Sequence, residues 1–173
     1  MTDLGTLGGG TSVATAINNA GQVTGYSITS SGAAQAFLYS NGQMTNLGTS
    51  SLADSYGEGI NDKGQFVGIA VTSPGSAYAF LYTDSQLKNL GTLGGGLSYG
   101  YGINNSGQVV GGSLISPGSE TEHAFLYSNG QMTDLGTLGM AGTNHSEAAG
   151  INSAGQITGF AQNGPRSITR LSL

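Results

Sequence analysis

Apolar and polar positions alternate with period two along most of this chain, in short runs broken by Gly, Asn, Asp and Ser. In "SVATAIN" (residues 12–18), "GQVTGYS" (21–27), "AQAFLYS" (34–40) and "MTNLGT" (44–49) side chains would project to opposite faces at successive residues, which predicts four short β-strands. No stretch has the length or the 3.6-residue period of a helix. Between the third and fourth runs stands Asn41-Gly42, and later Asn129-Gly130, the dipeptide that best meets the positive φ angles of a type I′ hairpin turn. Asp84-Ser85 replaces it in between. The first and second runs are joined by "INNAG", "INDKG", "INNSG" or "INSAG", whose Asn can bond its own backbone while the Gly turns left-handed.

The whole pattern recurs. "LGT" begins at Leu4, Leu47, Leu90 and Leu135, "IN" at Ile17, Ile60, Ile103 and Ile151, and "GQ" at Gly21, Gly64, Gly107 and Gly155. These markers define four units, approximately 8–49, 50–92, 93–137 and 138–173 plus 1–7, in one repeat domain covering 1–173. Four antiparallel strands in about 43 residues match the blade of a β-propeller. The first run adds a face of small side chains (Ser12, Ala14, Ala16; Ser55, Gly57, Gly59; Ser98, Gly100, Gly102), as expected where neighbouring blades crowd the axis. The expected fold is therefore all-β, a small propeller of four four-stranded blades. Residues 1–7 form a fourth-type strand without a blade, and the last unit has three strands, with Ile168 standing for the recurrent Phe. The expectation is that the N-terminal strand closes the ring by completing the last blade. A monomer is favoured; a homodimeric larger ring and an array that exchanges the N-terminal strand are the alternatives.

The tripeptide His123-Ala124-Phe125, with Gln35-Ala36-Phe37 and Tyr78-Ala79-Phe80 in the same slot, combines with "AFLY", "LGTLGG" and "IN…GQ" to make the units resemble the HAF repeat, a family of bacterial extracellular repeats. The resemblance implies a propeller-like fold and an extracellular or cell-surface location. It implies no catalytic residue.

Composition narrows the function classes. The 32 glycines are roughly 18% of the chain against a usual value of about 7%. A net charge of −5 with only four Lys and Arg offers no clustered cationic surface for a phosphate backbone, so nucleic acid is not an expected partner. No apolar run reaches the roughly 20 residues of a membrane span. Without cysteine, disulfides, thiol catalysis and Cys-based metal sites are excluded. Asp and Glu make no calcium-loop pattern, so neither metal nor cofactor is expected. "LGGGTS" and "LGGGLS" lack the Lys and helix of a phosphate loop and read as turns. The recurrent Asn18, Asn61, Asn104 and Asn152 read as turn formers, and Gly25, Gly68, Gly111 and Gly159 as positions that let an aromatic such as Phe37 lie over the strand. His123 sits in a slot that also takes Gln and Tyr, and His145 in a loop insert, so a Ser/His/Asp assembly is disfavoured.

Departures from the repeat carry the functional reading, because an asymmetric ligand needs residues the scaffold does not repeat. They concentrate where one unit passes into the next: Tyr56 and Glu58, Tyr99 and Tyr101, His145 and Glu147. These six are the expected ligand-binding residues, on one axial end, suited to a carbohydrate or a peptide. The expected function is a non-catalytic extracellular binding module. The alternatives are a structural subunit of a strand-exchanged assembly and a hydrolase with an axial site.

Overall fold

The computed structural model describes residues 2–48, 53–138 and 145–162, together with the backbone of 168–172. Fifteen strands fall into four antiparallel meanders: β1 (Gly8–Ile17), β2 (Val23–Thr29), β3 (Ala34–Ser40) and β4 (Gln43–Asn46); β5 (Asp54–Ile60), β6 (Phe66–Ser73), β7 (Ser76–Thr83) and β8 (Gln86–Asn89); β9 (Ser98–Ile103), β10 (Val109–Leu114), β11 (Glu122–Ser128) and β12 (Gln131–Gly136); and β13 (Ser146–Ile151), β14 (Ile157–Gln162) and β15 (Ile168–Ser172). The hairpin turns follow their sequences. Asn41 and Gly42 take φ of 52° and 80°, Asn129 and Gly130 take 53° and 84°, and Asp84 and Ser85 accept 51° and 61° without a glycine.

The "IN…GQ" motif is one hydrogen-bonded device. Asn61 Oδ1 accepts the backbone N–H groups of Lys63 and Gln65 at 3.0 and 3.1 Å, while its Nδ2 donates to Gln65 Oε1 at 2.8 Å and to the carbonyl of Asn104, in the next sheet, at 3.0 Å. Asn18 donates likewise to the Asn61 carbonyl at 2.9 Å and Asn104 to the Asn152 carbonyl at 3.1 Å. The four amides thus form a relay from sheet to sheet, which a turn-forming role alone does not require.

Each first strand carries a β-bulge at the same place, leaving Thr15, Glu58, Tyr101 and Ala149 as the extra residues. The bulge accounts for the recurrent glycine on the neighbouring strand. A Cβ at Gly25, Gly68, Gly111 or Gly159 would overlap the opposing carbonyl of Val13, Tyr56, Tyr99 or Glu147; at Gly68 and Gly111 it would also stand 3.0 Å from the ring of Phe80 or Phe125. Close approach of the first strand is the main reason, with the aromatic secondary.

The core lies between sheets. Ala36 meets Phe66, Ala70 and Phe80; Val67, Ala79, Leu81 and Leu90 meet Val109, Phe125 and Tyr127; Val110 and Ala124 meet Ala148 and Ile157. Buried serines join the seams, Ser55, Ser98 and Ser146 accepting the backbone N–H of Ala36, Ala79 and Ala124 at 2.9, 2.9 and 2.8 Å. The expected crowding is present: a Cβ on Gly100 would stand 3.2 Å from the Gly68 carbonyl oxygen.

Three expectations change. Among the described residues the last sheet has three strands, and residues 2–7 form no strand; Leu7 donates its N–H to Ser27 Oγ at 2.9 Å, against the first sheet. β1, β5, β9 and β13 pack consecutively, and among the described residues no strand pairs with β15 on its free side. In β15, Leu171 pairs with Gly159 as Phe37 pairs with Gly25, so Leu171 and not Ile168 holds the Phe position. The first glycine run is not a turn: Gly8, Gly9 and Gly10 begin β1.

A candidate binding face of tyrosines and carboxylates

The bulge and the residue two before it bring the non-repeated side chains together. Tyr99 and Tyr101 stack at 6.4 Å between centroids with an interplanar angle of 18°. Glu147, Glu122 and Glu58, on β13, β11 and β5, lie near enough for their charges to act on Tyr101. Burial, then the charges of Glu147, Glu122, Tyr99 and Glu58, push the Tyr101 hydroxyl well above the usual tyrosine range. Burial followed by Glu122 raises Tyr99, and burial alone raises Glu58 and Glu147.

Glu122 was missed by the sequence reading. By register it occupies the place of Ala34 and Ala77, and its carboxylate fills the space over Gly112, which stands where the other sheets have Tyr26, Ile69 and Phe160. A large residue has become glycine and a small one glutamate, side by side. That paired departure is visible in an alignment of the units, but only if the second and third strands are searched as well as the first. Glu122 Oε1 is buried without a hydrogen-bond partner. Burial, then the negative charge of Glu147, raises its pKa from 4.5 to about 7.

The remaining expected residues lie around this group. Tyr56 packs edge-on against Tyr26 at 5.0 Å, and burial, Asp54 and Tyr26 raise its pKa. His145, immediately before β13, accepts the Glu122 backbone N–H on Nδ1 at 3.3 Å and is held through Gln162, whose N–H donates to the His145 carbonyl at 2.8 Å. Thus Glu58, Tyr99, Tyr101 and Glu147 converge, His145 borders them through the backbone, and Tyr56 belongs to a separate aromatic pair. His123 is elsewhere, with Nδ1 2.8 Å from Asp134 Oδ2 across β11 and β12. Among the described residues no three His, Asp or Glu are grouped to hold a metal ion, and no helix is long and apolar enough to cross a membrane.

An open polar hollow lies at the opposite ends of the first strands, lined by their last isoleucines, Asn18, Asn61 and Asn104, and the following Asn19, Asp62 and Asn105. Its groups bond one another. Asp62 accepts from Asn19 N–H and Nδ2 at 3.0 Å each and from Asn105 Nδ2 at 2.9 Å, and these bonds, Asn105 first, hold its carboxylate below the usual range.

No protein-family model matches the chain, and no curated protein matches it in sequence. Among solved structures it is similar to TolB from Acinetobacter baumannii, with a TM-score of 0.62 and 13% identity over 92% of this chain and 40% of that one. The chain thus spans less than half of the TolB chain it matches. At this identity the likeness shows the fold: the four sheets are arranged as blades of the β-propeller type.

Proposed function

We propose that this chain is a non-catalytic propeller-type binding module whose tyrosine and carboxylate face takes a peptide segment carrying a Lys or Arg side chain. One observation carries the reading: Tyr101 stacks on Tyr99, with Glu147, Glu122 and Glu58, from three different blades, near enough for their charges to act on its hydroxyl. A cation brought among them offsets the burial and the Glu147 charge that raise Glu122 and gains the faces of two aromatic rings. An extracellular setting belongs to the same proposal and rests on the resemblance to HAF repeats.

Stacking and charged hydrogen bonds at a partly exposed site are each worth about 1 kcal/mol, which places a single site in the micromolar to millimolar range. The test is calorimetric titration with short peptides containing Lys or Arg, their Gln-substituted controls and a set of neutral oligosaccharides. Binding of the basic peptides alone is the expected result. Equal binding of the Gln controls contradicts the cation reading, and binding confined to sugars moves the assignment to a carbohydrate module.

A further inference from the structure

The third blade departs from its neighbours at two positions that lie diagonally across one hairpin. By register, Gly112 of β10 stands opposite Tyr99 of β9 and Ala124 of β11, and Glu122 comes two residues before Ala124. At the same pair of places the first blade has Tyr26 with Ala34, and the second has Ile69 with Ala77. A Cβ on Gly112 would overlap the Glu122 carboxylate and stand 3.2 Å from its Cγ. The glutamate therefore folds over the glycine, into space that a large side chain takes on the other blades, beside the cross-strand neighbour Tyr99.

A second carboxylate is held close by. Ala124 donates its N–H to Ser146 Oγ at 2.8 Å and Glu122 donates its N–H to His145 Nδ1 at 3.3 Å, so the strand that carries Glu147 is fastened to the strand that carries Glu122. The charge of Glu147 acts on Glu122, and that of Glu122 on Tyr99. Among the described residues Glu122 Oε1 is buried and has no hydrogen-bond partner.

The two cationic side chains would meet this arrangement differently. A lysine ammonium is a compact, strongly hydrated point charge, and it gains little from a flat surface. A guanidinium is planar and more weakly hydrated; it can lie on an aromatic ring while its edge donates to carboxylates in a fixed fork. Tyr99 and Tyr101, inclined by only 18° to each other, supply the flat surface, and Glu122 and Glu147 supply acceptors on two strands. The buried Oε1 requires a donor that sheds its water readily.

We propose that this face selects arginine over lysine, and that Glu122, lodged over Gly112, is the residue that makes the distinction. The inference rests on the cation-binding reading above and narrows its ligand to a guanidinium.

Calorimetric titration of the full chain with peptides that differ at one residue, Arg, Lys, dimethylated Arg or Gln, tests it. The Arg peptide should bind at least about tenfold more tightly than the Lys peptide, and methylation, which keeps the charge but blocks the paired hydrogen bonds, should remove the advantage. In Glu122→Gln the Arg and Lys peptides should come within about twofold of each other. Gly112→Ile combined with Glu122→Ala gives the third blade the pair that the second already carries, so the circular dichroism should be kept while the preference is lost. Equal affinity of the Arg and Lys peptides for the unaltered chain overturns the inference and leaves the cation reading standing. An Arg preference unchanged in Glu122→Gln belongs to the tyrosines and overturns the role of Glu122. Binding of neither basic peptide above the Gln control overturns the cation reading, and this inference with it.

Discussion

The two faces at opposite ends of the first strands are built from the same strands and solve opposite problems. At the asparagine end the relay amides are committed: each bonds its own turn and its Gln, and the first three also reach the next blade, so repetition itself provides the partners. At the tyrosine end three glutamates gather with raised pKa values, and Glu122 Oε1 is buried without a partner. The more open hollow is bonded within itself, whereas at the opposite end of the first strands Glu122 keeps a buried oxygen without a partner.

Breaking the satisfied end has the largest expected effect. Asn61 is 4% exposed and its side chain makes four hydrogen bonds, so Asn61→Ala leaves two backbone N–H groups and Gln65 Oε1 without partners and takes one of two donors from the Asn104 carbonyl. Urea denaturation should show a loss of about 3 kcal/mol, with peptide binding of the remaining folded protein unchanged. At the other end Tyr101→Ala should weaken a basic peptide about tenfold, roughly 1.4 kcal/mol, while Asn105→Ala leaves its affinity within twofold. Calorimetry of the two variants side by side makes the comparison quantitative.

The pH dependence separates the ends further. Glu122 holds its proton up to about pH 7 in the folded state and only to about 4.5 when unfolded, so its contribution to stability is complete below 4.5 and is lost as pH rises through 7. Discounted for its partial solvent contact, Glu122→Gln should stabilise the fold at pH 8 by about 1 kcal/mol and flatten the melting temperature between pH 5 and 8. Binding has the opposite sign: a basic peptide favours the carboxylate, so its affinity should rise between pH 6 and 8, and the rise should vanish in Glu122→Gln. The smallest expected effect is at a hairpin. Ser85 holds φ of 61°, and Ser85→Gly should add about 0.5 kcal/mol in thermal denaturation without altering binding.

Four strands in each of the first three units and the Asn-Gly turns were readable because each is dictated locally, by alternation and by dihedral preference. Readings that depended on contacts between units fared differently. The recurrent glycine was assigned to an aromatic neighbour because Phe37 is visible in sequence, while the carbonyl that the bulge brings against Gly25 is not. Ile168 was matched to Phe by composition, although pairing puts Leu171 opposite Gly159. Closure by residues 1–7 was inferred from complementary ends; among the described residues Leu7 bonds Ser27 of the first sheet and no fourth strand pairs with β15. Of the expected site, Glu58, Tyr99, Tyr101 and Glu147 converge because first strands line the axis, whereas Tyr56 is captured by Tyr26. Glu122 escaped notice because its space is made by Gly112 on a different strand.

The most direct test of the contrast between the ends is an amide chemical-shift map of the uniformly 15N-labelled chain titrated with a Lys- or Arg-containing peptide at pH 7.5. The account predicts shifts centred on Tyr99, Tyr101, Glu122 and Glu147, with Asn18, Asn61 and Asn104 unmoved. Shifts centred on the asparagine relay would contradict it.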